Sequence, residues 1–313
     1  MKALVILACC ILSTSAVIRL QKLSSIKIPA NANGDYAMFA GAAHKAAYDK
    51  RNRLLYVVSE QHNTNKSLNF LHILDFTNPS SPTILLTHPF TQHNLAGPAD
   101  IAICNHPSDV TKDVVAVSIP STYPAYNGKV EFFEPYNRVQ ADLTRLGVVD
   151  VGASPRSMAF TSDCTQLIVA NEGVPGLDGP EYDPNSAFFD PEGSISIILS
   201  SKTSSPATLK IDFTSFNDRA AEFVNRGVRW VFRGDRDNNL INTFSQDLEP
   251  EDVTISPDNR FAFITLKENN AIAKLDISQR RIIDIYPMGV KDFSNFDMDS
   301  SDRDGESVIV IEC

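Results

Sequence analysis

Residues 245–278 read SQDLEPEDVTISPDNRFAFITLKENNAIAKLDIS. Within them VTIS, FAFITL and AIAKLDI alternate apolar and polar positions with the period of two that a β-strand presents to a half-buried surface. Pro257, Asp258 and Asn259 separate the first two runs with residues that favour a turn. The stretch therefore predicts an antiparallel meander. Glu249, Glu251 and Glu268 stand at the ends of its runs rather than at the tips of its turns, which raises the question of what they face.

The same unit recurs along the chain. YVVSE at 56–60, VAVSI at 115–119, IVANE at 168–172 and ITLKE at 264–268 superimpose as second strands. Each follows a short apolar strand and a polar turn, and each precedes a third strand: LNFLHILDF, GKVEFFEP, GSISIILSS and AIAKLDIS. A repeat of about 50 residues built from short antiparallel strands, here with one long insertion, is the signature of propeller blades. The fold expected is all-β: a β-propeller of four-stranded antiparallel blades, about four of them recognisable, in a single domain over residues 17–313. The insertion carries SFNDRAAEFVNRG, in which Phe216, Ala220 and Phe223 recur at helical spacing before Gly227, so one short helix decorates the sheets.

Residues 1–16, MKALVILACCILSTSA, combine Lys2, an apolar run too short to span a bilayer and small residues at cleavage positions. That is the pattern of a secretory signal peptide, so the protein is expected to be secreted and extracellular. No other apolar run is long enough for a membrane span. With 28 basic and 38 acidic residues the formal net charge is −10, a poor balance for nucleic acid and a favourable one for cations. After loss of Cys9 and Cys10 three cysteines remain in an oxidising compartment: Cys104, Cys164 and Cys313. Aligning the blades puts Cys104 at the end of a first strand and Cys164 in the turn after the equivalent strand. Both then lie on the face opposite the acids, where they either pair or are buried singly, while Cys313 is a candidate for self-association. Asn65-Lys66-Ser67 is a glycosylation sequon.

In a propeller the connection from strand two to strand three and the entry to strand one of the next blade open on one face. Glu60, Glu172 and Glu268 occupy the first of these connections; His44, Arg156 and Glu251 occupy the second, with Glu249 just before. The repeat thus gathers carboxylates around one mouth of the channel. The alternative is that strand ends are simply solvated. A long loop, NEGVPGLDGPEYDPNSAFFDPEG, adds Asp178, Glu181, Asp183, Asp190 and Glu192, and DMDSSDRDGES adds Asp302 and Asp304. The latter resembles a calcium loop, but Ile311 stands where an EF-hand places its bidentate Glu. The candidate metal set is Glu172, Glu192, Glu249, Glu251, Glu268, Asp302 and Asp304, and the ion expected is Ca2+. There is no GxSxG, HExxH, P-loop or dinucleotide fingerprint, and no catalytic residue is assigned. His62, His72, His88, His93 and His106 lack metal spacing and read as turn and surface residues.

VANEGVP with DPEGSISII, then GVRWVF, QDLEPEDVTISPDNRFAFITLKENNAIAKLDI and GVKD with SSDRDG, resemble the mesenchyme-specific cell surface glycoproteins of biomineralising animals and their bacterial relatives, the choice-of-anchor I proteins. GAAHKAAYDKRNRLLYVVSE and GKVEFFEP extend the match. The resemblance implies a YVTN-like β-propeller, secretion or surface attachment, and association with calcified skeletons or shells. Bacterial members are described as alkaline phosphatase-like, which implies a calcium-dependent phosphoesterase as the alternative activity. His44, Val174, Asp252 and Lys267 depart from the family pattern, and the loss of acid at His44 and Val174 weighs against catalysis more than against cation binding. The family propeller continues beyond SDRDG, so this chain is expected to carry its first part. The function expected is that of a secreted acidic propeller that binds Ca2+ and associates with mineral or extracellular matrix components.

Overall fold

The structure, a computed structural model, describes residues 22–29, 43–59, 69–91, 95–177, 188–199, 202–235 and 240–290. Four four-stranded antiparallel sheets follow one another along the chain, each a meander whose strands pair in order. The fold is a β-propeller built of these blades. Blade one holds β1 (Lys45–Asp49), β2 (Leu54–Val58), β3 (Phe70–Asp75) and β4 (Thr83–Pro89). Blade two holds β5 (Asp100–Cys104), β6 (Val114–Ile119), β7 (Asn127–Phe133) and β8 (Arg145–Ala153). In blade three, β9 (Pro155–Phe160) and β10 (Gln166–Asn171) are followed by a two-residue ribbon, β11 (Gly176–Leu177) with β12 (Phe188–Phe189), before β13 (Ser194–Leu199) and β14 (Ala207–Asp212) complete the sheet. The insertion supplies a 3₁₀ turn (Thr214–Arg219), α1 (Ala220–Arg226), a second ribbon of β15 (Gly234–Asp235) and β16 (Leu240–Ile241), and the one-turn α2 (Phe244–Asp247). Blade four is β17 (Pro250–Ile255), β18 (Phe261–Leu266), β19 (Ala271–Asp276) and β20 (Arg281–Pro287).

Three apolar cores hold the blades together, and the period of two explains how one strand serves two of them. Along β10, Leu167 and Val169 point into the core shared with blade two, whereas Ile168 and Ala170 point into the core shared with blade four. Because blades two and three are covered on both faces, their central strands are near-continuous apolar runs, VVAVSI and QLIVAN. Among the described residues blade four has one covered face: Ala262, Ile264, Ala273, Leu275, Ile282 and Ile285 are buried, while Phe263 and Ile283 of the other face are exposed. That single-sided burial is why FAFITL alternates. Among the described residues no apolar cluster joins blade four to blade one. An ion pair between Lys45 and Asp252, 3.7 Å, ties their innermost strands instead.

The helical segment forms where the sequence places it, but its first turn is 3₁₀, and Gly227 at φ 106° closes α1 in the left-handed conformation that costs glycine least. Phe216, Phe223 and Phe244 pack from this segment into the core between blades three and four. One expectation is corrected and one element is added. Ser245 and Gln246 lie in α2, a second short helix beyond the one expected, whose Thr243 and Gln246 form a reciprocal capping box. His72 is not a surface residue but is buried in β3, and His88 is half-buried in β4 with its ring edge against Phe90 and Phe133. A polar residue in a fully covered sheet face breaks the alternation that marks a turn or surface position, which is why spacing alone misplaced His72. Residues 1–16, His62, Asn65, His93 and Cys313 lie outside the described residues.

Candidate functional site at the acidic mouth

The innermost strands β1, β5, β9 and β17 lie side by side, and the chain enters the last two through matching irregularities. Arg156 is the extra residue where β9 pairs with β10, and Glu251 and Asp252 together oppose Thr265 where β17 pairs with β18. These are β-bulges, which turn side chains out of the regular alternation and recur beside binding sites. The amide of Asp252 donates to Thr265 Oγ1, 2.9 Å, which fixes the second bulge. The two bulged positions are those that the repeat aligns, Arg156 with Glu251.

Three loops then meet backbone to backbone. Gly193 leaves no room for a side chain: a Cβ there would overlap the carbonyl oxygen of Leu248 and come within 2.6 Å of Pro250 Cδ. Gly173, at φ +76°, lies against Gly193 N at 2.7 Å from its would-be Cβ. Glycine is required at both positions. The consequence is that the loops after β10, before β13 and before β17 converge, carrying Glu172, Asp190, Glu192 and Glu249. Buried Asn269 locks the fourth loop to them, donating to the carbonyl and the carboxylate of Asp247, each at 2.8 Å, and accepting from the amide of Glu249.

The acids differ in what they already hold. Glu172 is ion-paired to Arg156, yet burial outweighs that partner and its pKa is raised. Glu251 is paired to Lys267 at 3.1 Å, which holds the lysine above its usual range. Glu192 accepts from Ser245 Oγ at 3.0 Å, and Asn217 braces Ser245 through both its side-chain groups. Asp247 is buried and accepts from the amides of Val231 and Phe232; desolvation nevertheless raises its pKa. Glu249 is different: among the described residues no donor reaches its carboxylate. Burial, followed by the charges of Glu172, Glu268, Asp190 and Asp247, pushes it up to about 7. Asp190 is only 6% exposed, and its Oδ1 has no hydrogen-bond partner. Burial raises its pKa to about 6 despite a hydrogen bond from Asn242.

The structure thus brings Glu172 and Glu268 within the field of Glu249, and Glu251 within that of Glu172, and places Glu192 in the adjoining loop. Glu60, Asp178, Glu181, Asp183, Asp302 and Asp304 lie outside the described residues. Among the described residues no three His, Cys, Asp or Glu side chains converge in a ready metal-binding group. Sequence reasoning assigned no role to Asp247 or Asn269, and read Asp190 only as one of several loop acids. Asn269 looked like an ordinary turn residue in KENNA; its one distinguishing mark, placement directly after Glu268, is visible only once the loop before β17 is seen to cross it. A cavity of about 260 Å³ adjoins Glu251 and Lys267 and is floored by Leu266, Ala271 and Ile272. On the opposite face Cys104 and Cys164 form a disulfide, with Cα atoms 5.7 Å apart.

Fold and site define a β-propeller with a carboxylate-rich mouth. The chain belongs to the choice-of-anchor I domain family, whose model matches residues 44–311. It is 32% identical over 187 residues to the mesenchyme-specific cell surface glycoprotein of Strongylocentrotus purpuratus, a match covering 58% of this chain and 21% of that protein. The chain therefore spans about a fifth of the length of this curated relative. Among solved structures it is similar to Kuenenia stuttgartiensis hydrazine synthase, with a TM-score of 0.47, 11% identity, and coverage of 81% of this chain and 63% of that one. It is also similar to a chain of the nidogen/laminin complex, with a TM-score of 0.34, 11% identity, and coverage of 79% and 81%. No helix among the described residues is long and apolar enough to cross a membrane.

Proposed function

We propose that this protein acts outside the cell as an acidic propeller that takes up Ca2+ at its mouth and associates with matrix or mineral. One observation carries the reading: four carboxylates, Glu172, Glu268, Asp190 and Asp247, act on Glu249 from loops that Gly173, Gly193 and buried Asn269 hold together. Like charges gathered at low dielectric repel one another, and a hard cation with oxygen ligands relieves the repulsion. Similarity to a cell surface glycoprotein supports the extracellular setting. The family resemblance to calcified-tissue proteins supports mineral or matrix as the partner. The phosphoesterase alternative is less favoured, because Arg156 and Lys267, the cations beside the acids, are already paired to Glu172 and Glu251.

A cation that binds only the folded state stabilises it by linkage. With a dissociation constant on the order of 0.1–1 mM, usual for extracellular calcium modules, about 10 mM CaCl2 contributes roughly 1.5–3 kcal/mol, a rise of a few degrees in Tm. Thermal unfolding with CaCl2, against NaCl of equal ionic strength, is expected to show that rise only with calcium. A generic phosphomonoester incubated with the protein and CaCl2 is expected to stay intact. A Tm that ignores calcium, or steady calcium-dependent hydrolysis, would reject this reading.

A further inference from the structure

Within the mouth the acids are not equivalent, and the difference lies in their remaining oxygens. Glu172 and Glu251 are held by Arg156 and Lys267, Glu192 by Ser245, and Asp247 by two backbone amides and Asn269. Apart from Glu268, which is exposed to solvent, what is left is the carboxylate of Glu249, to which no described residue donates, and Oδ1 of Asp190, an oxygen sealed from solvent with nothing bonded to it. An orphaned polar oxygen in a side chain that is only 6% exposed is costly unless something outside the protein's own donors satisfies it. Its loop is the one that Gly193 presses against Leu248 and Pro250, the two residues that flank Glu249, and the charge of Asp190 acts on Glu249. Gln246 Nε2 donates to the Asp190 main-chain carbonyl at 2.7 Å, and Asn242 hydrogen-bonds to its carboxyl.

We infer that Asp190 and Glu249 are the protein's own ligands for a hard divalent cation, and that the outer acids Glu251 and Glu268 shape the approach to it without binding it. This rests on the calcium reading proposed above and narrows it to two carboxylates on two loops. Two protein carboxylates with water filling the remaining positions suit an oxygen-seeking cation, and such a pair is smaller than the three-residue group that the described residues do not contain. Asp190 lies before β13 and Glu249 before β17, so the cation joins two loops that the Gly193 contact already brings together.

The test compares four proteins in CaCl2 titrations followed by thermal unfolding and by calorimetry: wild type, Glu249→Gln, Asp190→Asn, and the double variant Glu251→Gln with Glu268→Gln. The expected result is a dissociation constant weakened at least tenfold in each single variant and changed less than threefold in the double variant. Glu249→Gln carries a second readout that a merely structural role would not produce. Without calcium its Tm should equal or exceed that of wild type, because a repelled carboxylate has been replaced by a neutral amide of the same shape. A calcium response that survives in Glu249→Gln and disappears in Glu251→Gln with Glu268→Gln overturns the assignment while leaving the calcium reading intact. Absence of any response in wild type overturns both. A Tm of Glu249→Gln well below wild type in calcium-free buffer, with binding retained, also overturns it, since Glu249 would then be a structural residue.

Discussion

His72 shows how one buried side chain couples the fold to pH. It is fully buried in β3, its Nδ1 lies 3.0 Å from Thr87 Oγ1, and its Nε2 has no partner. Burial alone holds its pKa at about 4. In the folded protein the ring is therefore neutral across the range in which an unfolded histidine, near 6.5, picks up a proton. The unfolded state then binds more protons than the folded one between pH 6.5 and 4, so this residue's contribution is fully present above about 6.5 and is lost as pH falls toward 4. The loss is on the order of 3 kcal/mol, from the difference between the two pKa values. Urea unfolding of wild type and His72→Phe at pH 7.0, 5.5 and 4.5 should show the variant gaining on wild type as pH falls; parallel curves would mean that His72 does not titrate with unfolding.

At the scale of the element, each strand's two faces face different fates, and blade four makes the contrast measurable within adjacent residues. Ile264 is fully buried in the core shared with blade three, whereas Phe263, its neighbour in β18, is 37% exposed on the other face. Removing a buried aliphatic side chain costs its transfer free energy and leaves a cavity. Ile264→Ala should therefore cost about 2–5 kcal/mol, and Phe263→Ala about 1 kcal/mol or less, the latter limited to partial burial and a distant contact with Lys274. Equal losses in chemical denaturation would show that the second face of blade four is covered as well as the first. The same alternation explains which elements were legible. FAFITL and AIAKLDI announce themselves because one face is wet. VVAVSI carries no alternation, and only its place in the repeat marks it as a strand.

For the molecule as a whole, the blades are tied by apolar faces and, at one junction, by a covalent bond. Cys104 ends β5 in blade two, and Cys164 lies in the turn between β9 and β10 of blade three, 60 residues later in the chain. Closing a loop of that length restricts the unfolded chain by roughly 4 kcal/mol on the chain-entropy estimate, of which 2–4 kcal/mol is commonly realised. Cys104→Ser with Cys164→Ser should lower unfolding stability by that amount and leave the calcium response of the opposite face unchanged. If the double variant lost the calcium response while still folded, the two ends of the blades would be coupled in a way that three separate cores do not suggest.

The sequence by itself determined the repeat, the four blades, the second and third strand of each, the short helix closed by Gly227, and the fact that acids cluster at strand ends. These follow from local causes: period-two alternation, turn chemistry and helical spacing all act between residues close in the chain. Only the tertiary structure decided which acids remain unspent. Arg156 meets Glu172 across 16 residues, Ser245 meets Glu192 across 53, and Gln246 meets the Asp190 carbonyl across 56. No pattern of residue types reveals such pairings, because they depend on how Gly173 and Gly193 let three loops press together. The same holds for His72, whose burial depends on what covers the sheet. A carboxylate's chemistry is set by its neighbours and its distance from water, and both are properties of the folded chain.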